Sequence, residues 1–166
     1  MQINQIVPDF SLPDQLGRVR TLGACRGRIA VVNFWSAECP WSERADHHLL
    51  EIASQHPRQL AILPVNSNFN ETGELITRAI QHRGLDFVLI DTDARLAEAW
   101  GAQTTPHAFV IDAQGILRYR GAVDDVTFRK RIPERFYVQE ALEALLAGRL
   151  PEIQETAPYG CTIVRL

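Results

Sequence analysis

The chain has 166 residues, 46% of them hydrophobic, with 17 basic and 20 acidic side chains and a net charge of −3. That length suits one domain, residues 1–166, with a sizeable core. The charges are mixed, so no basic block points to nucleic acid, and the most apolar run, Ile29–Trp35, is interrupted by Asn33 and far too short to cross a membrane.

The opening MQINQIVPDFSLPDQ has no basic segment followed by an apolar core, so no secretory signal is expected and the chain reads as cytoplasmic. In that setting its cysteines point to reactive or buried thiols and away from a disulfide scaffold. Val7–Leu12 and Val19–Leu22 read as two short strands around a turn containing Asp14 and Gly17. Gly23–Arg28 is a loop holding Cys25. No helix start marks that thiol as activated, so it reads as buried or idle, with pairing to another cysteine as the alternative.

Ile29–Phe34 has the composition of a short buried strand. Cys39 follows, then Pro40, which suits a first helical position because the N–H it lacks would be unpaired there. Trp41, Ala45, Leu49 and Ile52 recur at helical spacing up to about Gln55, where His56-Pro57 disfavours continuation. A helix start offers unpaired N–H groups and a positive dipole end, and both favour a thiolate. A cysteine there titrates below the free value of about 8.5, and the thiolate is the nucleophile. The alternative is a buried structural cysteine. His47 and His48 lie about two and a half turns further on, too far to serve Cys39 as a base on a straight helix. No metal-ligand spacing accompanies them, and neither a metal nor a cofactor is expected.

Gln59–Val65 reads as a strand, Asn66–Asn70 as a polar loop, and Thr72 as the cap of a helix from Gly73 to about His82, stopped by Gly84. Phe87–Ile90 is a strand and Ala94–Trp100 a short helix ended by Gly101. Thr104-Thr105-Pro106 leads into a strand His107–Ile111, which turns at Asp112–Gly115 and returns as Ile116–Arg120. Gly121–Arg131 is a charged loop. Pro133 and Glu134 are expected to begin the last helix, with Val138, Leu142, Leu145 and Leu146 as its apolar stripe and Gly148 as its end. In the tail, Pro158-Tyr159-Gly160 is turn-like, and Thr162–Leu166 is apolar enough to dock as an edge strand.

The succession of strand, Trp35, Cys39, Pro40 and helix, with Thr105-Pro106 before a later strand, resembles the thioredoxin-like superfamily. The likeness is to its redoxin branches of the TlpA-like and AhpC/TSA-like types. The resemblance implies an α/β fold: a central mixed sheet flanked by helices, with an N-terminal β-hairpin extension over residues 1–28 and a C-terminal tail over 149–166. It implies a cis Pro106 facing Cys39, and a Thr105 backbone offered to an extended partner as an added strand would be. It also implies that loop Asn66–Asn70 faces Cys39. The family's usual motif places a second cysteine three residues after the first, and here that position is Ser42. Asn33 stands where many thioredoxins carry a buried proton-accepting Asp, and an amide cannot take that proton. The ending Thr156 to Ile163 resembles the tail of a redoxin branch and marks Cys161 as a family cysteine.

The resemblance implies a thiol–disulfide oxidoreductase that uses Cys39 on protein or small-molecule disulfides, with an external thiol as reductant. Ser42 is expected to donate a hydrogen bond to the Cys39 thiolate, Glu38 to oppose it by charge, and Trp35 and Trp41 to wall the site. One alternative is a peroxiredoxin-like peroxidase acting on peroxide, although Val32 and Ser36 occupy the positions of that family's Pro and Thr. A non-catalytic binding module is the other. For resolving Cys39, three routes stay open: Cys161, an external thiol, or a separate Cys25–Cys161 pair.

Overall fold

The computed structural model describes residues 1–165. Its centre is a five-stranded mixed sheet in the order β5-β4-β3-β7-β8. Strand β3 (Ile29–Trp35) is buried along its whole length, as its near-continuous apolar run requires. It pairs in parallel with β4 (Leu60–Asn66) and antiparallel with β7 (His107–Ile111). β5 (Leu89–Ile90) extends the parallel side, and β8 (Leu117–Gly121) the antiparallel side.

Alternation along β3 feeds two cores. Ala30, Val32 and Phe34 pack with Phe109, with Ala97 and Trp100 of helix α3 (Arg95–Trp100), and with Val7 of the N-terminal segment. Ile29 and Val31 pack against Ala45, Leu49 and Ile52 of α1 (Pro40–Gln55) and against Val138, Ala141 and Leu142 of α4 (Tyr137–Leu146). Helix α2 (Gly73–Arg83) covers Trp35 through Ile76, Ala79 and Ile80. Thr72 caps α2 by accepting from Leu75 N–H, and Gly84 ends it in the left-handed region at φ 71°.

Three expected boundaries shift for identifiable reasons. The hairpin is shorter than Val7–Leu12 with Val19–Leu22: β1 is Ser11–Pro13 and β2 is Val19–Thr21. Upstream residues serve the β7–β8 turn instead, with Val7 N–H donating to Gly115 O at 2.9 Å. Helix α4 starts at Tyr137, not at Pro133. The intervening residues close a loop on Asp125, whose carboxylate accepts from Glu134 N–H at 2.9 Å and whose own N–H donates to Arg135 O at 3.1 Å. The tail strand is Cys161–Thr162 (β9), and it pairs antiparallel with β6 (Thr104–Thr105) apart from the central sheet. Leu166, the last residue of the strand expected there, lies outside the described residues.

The approach of the tail is fixed upstream. Thr156 N–H donates to Arg120 O at 3.1 Å, and Thr156 Oγ1 accepts from Ala122 N–H at 3.0 Å and shares a hydrogen bond with Tyr119 OH at 2.6 Å. Gly121 makes this contact possible: its φ is 143°, and a Cβ there would overlap the backbone of Thr156.

Candidate active site

Cys39 is the residue before the first turn of α1, in extended conformation (φ −83°, ψ 118°), with Pro40 opening the helix. Its Sγ donates to Thr105 O at 3.0 Å. Thr105 precedes Pro106 through a cis peptide bond, and both residues are buried. On β6, Thr105 is in register with Cys161 of β9. The Cys161 thiol lies within hydrogen-bonding reach of Cys39 Sγ, and both cysteines are free thiols.

The two thiols are pushed in opposite directions. Burial raises the pKa of Cys39, but hydrogen bonds from the Cys161 thiol, from the Ser42 and Cys161 backbones and from the Thr105 side chain outweigh it, and the net shift is down. Cys161 is pushed up to about 12 by burial first, then by its hydrogen bond to Cys39 and by the charge on Cys39, with a further contribution from Glu71. Of the two thiols, Cys39 is therefore the one that gives up its proton first.

Several expected site residues take other roles. The Ser42 hydroxyl does not serve Cys39: its Oγ accepts from Ser36 N–H at 3.2 Å, and it is the Ser42 backbone that reaches Cys39. A backbone N–H at a helix start is unpaired within the helix, so no side-chain donor is needed there. Trp35 does not wall the site, because it is fully buried beneath it and donates through Nε1 to Asp46 Oδ2 at 2.8 Å. Trp41 is half-buried and meets Tyr159 of the tail edge-to-face, with centroids 5.3 Å apart. Glu38 is exposed and is absent from the leading influences on Cys39. Asn33 is fully buried, and neither end of its amide has a protein partner among the described residues.

Cys25 sits elsewhere, in a short 3-10 turn Gly23–Cys25, raised by burial and in contact with Arg28. It adjoins a groove of about 570 Å³ between the hairpin, α1 and β4 that contains none of the site residues. His47 is exposed and His48 stacks on Phe136, so neither serves Cys39. Among the described residues no group of three His, Cys, Asp or Glu side chains is placed to hold a metal. No described helix is long and apolar enough to cross a membrane.

The supports of the loop before Cys39 escaped sequence reasoning. The Glu71 carboxylate accepts from Ser36 Oγ and, at 2.8 Å, from Ala37 N–H. Ser36 Oγ in turn accepts from Cys39 N–H at 3.1 Å. From α2, Arg83 donates to Ser36 O at 3.1 Å and Ala37 O at 2.6 Å and pairs with Asp46 at 3.2 Å. Loop Asn66–Asn70 grips the tail: Asn68 Oδ1 accepts from Val164 N–H at 2.9 Å, and Phe69 N–H donates to Val164 O at 2.9 Å. These partners are far apart in sequence and carry no motif.

Residues 3–120 match the model of the AhpC/TSA family. The chain belongs to the AhpC/TSA family. Among its relatives, a thiol:disulfide interchange protein DsbE of Allochromatium vinosum is 27% identical over 136 residues, covering 78% of this chain and 73% of the relative. A crystal structure of a hypothetical protein, SMc02350, from Sinorhizobium meliloti superposes with a TM-score of 0.88 at 27% identity, over 100% of this chain and 96% of that one. The thioredoxin domain of the thiol-disulfide oxidoreductase BVU-2223 from Bacteroides vulgatus gives a TM-score of 0.64 at 20% identity, over 72% of this chain and 88% of that one. The fold is thioredoxin-like: an α/β architecture with a central mixed sheet and an N-terminal hairpin.

Proposed function

We propose that the protein is a thiol–disulfide oxidoreductase whose exchanging pair is Cys39 and Cys161, with the tail cysteine doing the work that the family's usual motif assigns to the position of Ser42. The observation that carries this reading is the juxtaposition of the two thiols across Thr105, one on the helix start and one on β9. The DsbE relative is named for the same class of chemistry. In the reducing direction the Cys39 thiolate attacks one sulfur of a substrate disulfide, on a protein or a small molecule. A Cys39–substrate mixed disulfide forms and the other substrate sulfur leaves as a thiolate. Cys161 then passes its proton to that thiolate, attacks Cys39 Sγ, and expels the second substrate thiolate. The enzyme ends with a Cys39–Cys161 disulfide, two electrons poorer, and an external thiol reductant restores it.

The timing follows from the electrostatics. While Cys39 is a thiolate, its charge and hydrogen bond hold the proton on Cys161. Once Cys39 is bound to substrate, both influences vanish and Cys161 becomes easier to deprotonate. Exchange with a disulfide is favoured over peroxide reduction because the hydroxyl at Ser36 is engaged with Glu71 and with the Cys39 N–H, away from the sulfur.

The test is mild oxidation followed by digestion without reduction and mapping of linked peptides. A Cys39–Cys161 peptide is expected, with disulfide-reductase turnover lost in Cys39→Ser. Cys39 found instead as a sulfenic acid or a small-thiol adduct would rule out the tail as resolving group. Faster turnover of hydrogen peroxide than of disulfides would replace the reading with a peroxidase. No turnover of either, with an unshifted Cys39, would leave a binding module.

A further inference from the structure

Cys39 and Cys161 are not equivalent in access. Cys39 is 1% exposed, and its sulfur is held by the Cys161 thiol and backbone, by the Ser42 backbone in the first turn of α1 and by Thr105. Cys161 is only half-buried and stands on the outer member of a two-residue ladder, with exposed Thr162 and Val164 following it. That ladder lies close: a Cβ on Gly160 would overlap the carbonyl oxygen of Thr105. Tyr159 against Trp41 holds one end of the strand over the helix start, and Phe69 against Val164 holds the other.

A thiolate attacks a disulfide along the extension of the S–S bond, and the sulfur further from that approach leaves. Which sulfur is attacked depends on access and on the leaving group. In a Cys39–Cys161 disulfide the other partners of Cys39 Sγ, the Ser42 backbone in the first turn of α1 and Thr105, leave that residue almost closed to an incoming thiolate. Cys161, half-buried, offers the more open sulfur.

Resting on the reading of Cys39 and Cys161 as the exchanging pair, we propose that the two half-reactions enter at different sulfurs: substrate disulfide is taken up on Cys39, whereas the thiolate that regenerates the enzyme attacks Cys161 and expels Cys39. The donor RS⁻ forms an RS–Cys161 bond as the Cys39–Cys161 bond breaks, and Cys39 leaves with the electron pair as a thiolate. A second donor thiolate attacks the donor-derived sulfur, giving RSSR and releasing Cys161, which takes up a proton. Two thiols have then become one disulfide, and the enzyme disulfide two thiols. The downward shift of the Cys39 pKa agrees with this order, since the more stable thiolate is the better leaving group. In this order Cys161 carries two catalytic duties, resolving Cys39 in one half-reaction and accepting the donor in the other.

The experiment uses the oxidised full chain. It is mixed with 2-mercaptoethanol, quenched in acid after milliseconds, and the mercaptoethanol adduct is assigned by mass spectrometry. Adduct on Cys161 at about ten times the level on Cys39 is expected, a rate ratio equivalent to about 1.4 kcal/mol between the two barriers. Adduct mainly or equally on Cys39 overturns the proposal. If no Cys39–Cys161 disulfide forms in the starting sample, the exchanging pair itself fails and takes this inference with it. That outcome is visible before any thiol is added.

Discussion

Thr105 and Cys161 face one another as antiparallel neighbours, in register, on the two short strands that flank Cys39. The backbone edge of Thr105, expected from the family likeness to receive an extended partner, is therefore occupied by the chain's own tail. In the reduced protein the tail lies where a substrate strand would, so uptake of an extended substrate on Cys39 requires β9 to lift.

Gly160→Ala tests how closely the tail must lie. The added methyl would overlap the Thr105 carbonyl oxygen, and backbone cannot give way as a flexible side chain does. Overpacking of this kind costs about 1–3 kcal/mol. The expected result is slower closure of the Cys39–Cys161 disulfide, by roughly fivefold to a hundredfold on that scale, with faster alkylation of Cys39. Timed oxidation with alkylation quenching measures both, and unaltered closure would mean that β9 does not set the reach of Cys161.

Cys161→Ala tests what holds the Cys39 thiolate. The variant removes the Cys161 thiol donor while burial of Cys39, which raises its pKa, persists. Alkylation rate follows the thiolate fraction and rises with pH through the pKa. The midpoint of that rise is therefore expected to move to higher pH in the variant, read by iodoacetamide kinetics from pH 6 to pH 10. A midpoint that stays put or falls would assign the depression of Cys39 to the backbone donors and Thr105, with no part for the Cys161 thiol.

Oxidation should stabilise the fold. Cys39 and Cys161 are 122 positions apart (161 − 39), and a cross-link closing a loop of that size stabilises by roughly 4–5 kcal/mol in the chain-entropy model. Urea denaturation with and without reductant is expected to show a higher midpoint for the oxidised form, and Cys161→Ser should abolish the difference.

Arg83→Leu removes the cation beneath the active-site loop. Asp46 is already raised to about 6, burial outweighing the opposing effects of Trp35 and Arg83. Without Arg83 its carboxylate is buried with one polar partner fewer, and the carbonyls of Ser36 and Ala37 lose theirs. Breaking a buried pair from one side costs about 3–5 kcal/mol. Because Asp46 is raised above the ordinary carboxylate value, the folded state binds its proton more readily than the unfolded one. Arg83 holds that carboxyl down, so the variant takes up the proton at a higher pH than the parent, and the loss should shrink as pH falls toward about 6 and level off below it. Denaturation midpoints at pH 7 and pH 5 measure this.

What could be read in the sequence was local. The strand–Cys–Pro–helix order placed Cys39 at the start of α1, because hydrophobic periodicity and proline stereochemistry act over a few residues. The mixed sheet and Pro106 beside Cys39 came with the family likeness. The rest is set by contacts that no period announces. Glu71 shapes the loop at Ser36 from a distant turn, Thr156 fixes the approach of the tail, and Trp35 turns inward because Asp46, a turn and more into α1, accepts its N–H. Analogy with a thiol at its position directs Ser42 toward Cys39. Its hydroxyl found a nearer backbone donor in Ser36.

The anchorage of Thr156 sets a tether length. Counted along the chain, Cys161 is 122 positions from Cys39, but only five (161 − 156) from the point where Thr156 is fastened to β8. Chain-closure probability falls as about the three-halves power of length, so shortening the free segment from 122 to five raises the local concentration of Cys161 at Cys39 by roughly a hundredfold. In the proposed exchange, a resolving thiol at the far end of the sequence thus meets its partner almost as a neighbour would. Tyr119, Gly121 and Thr156, none of which touches sulfur, belong to the kinetics of the redox pair as the mooring of its second member.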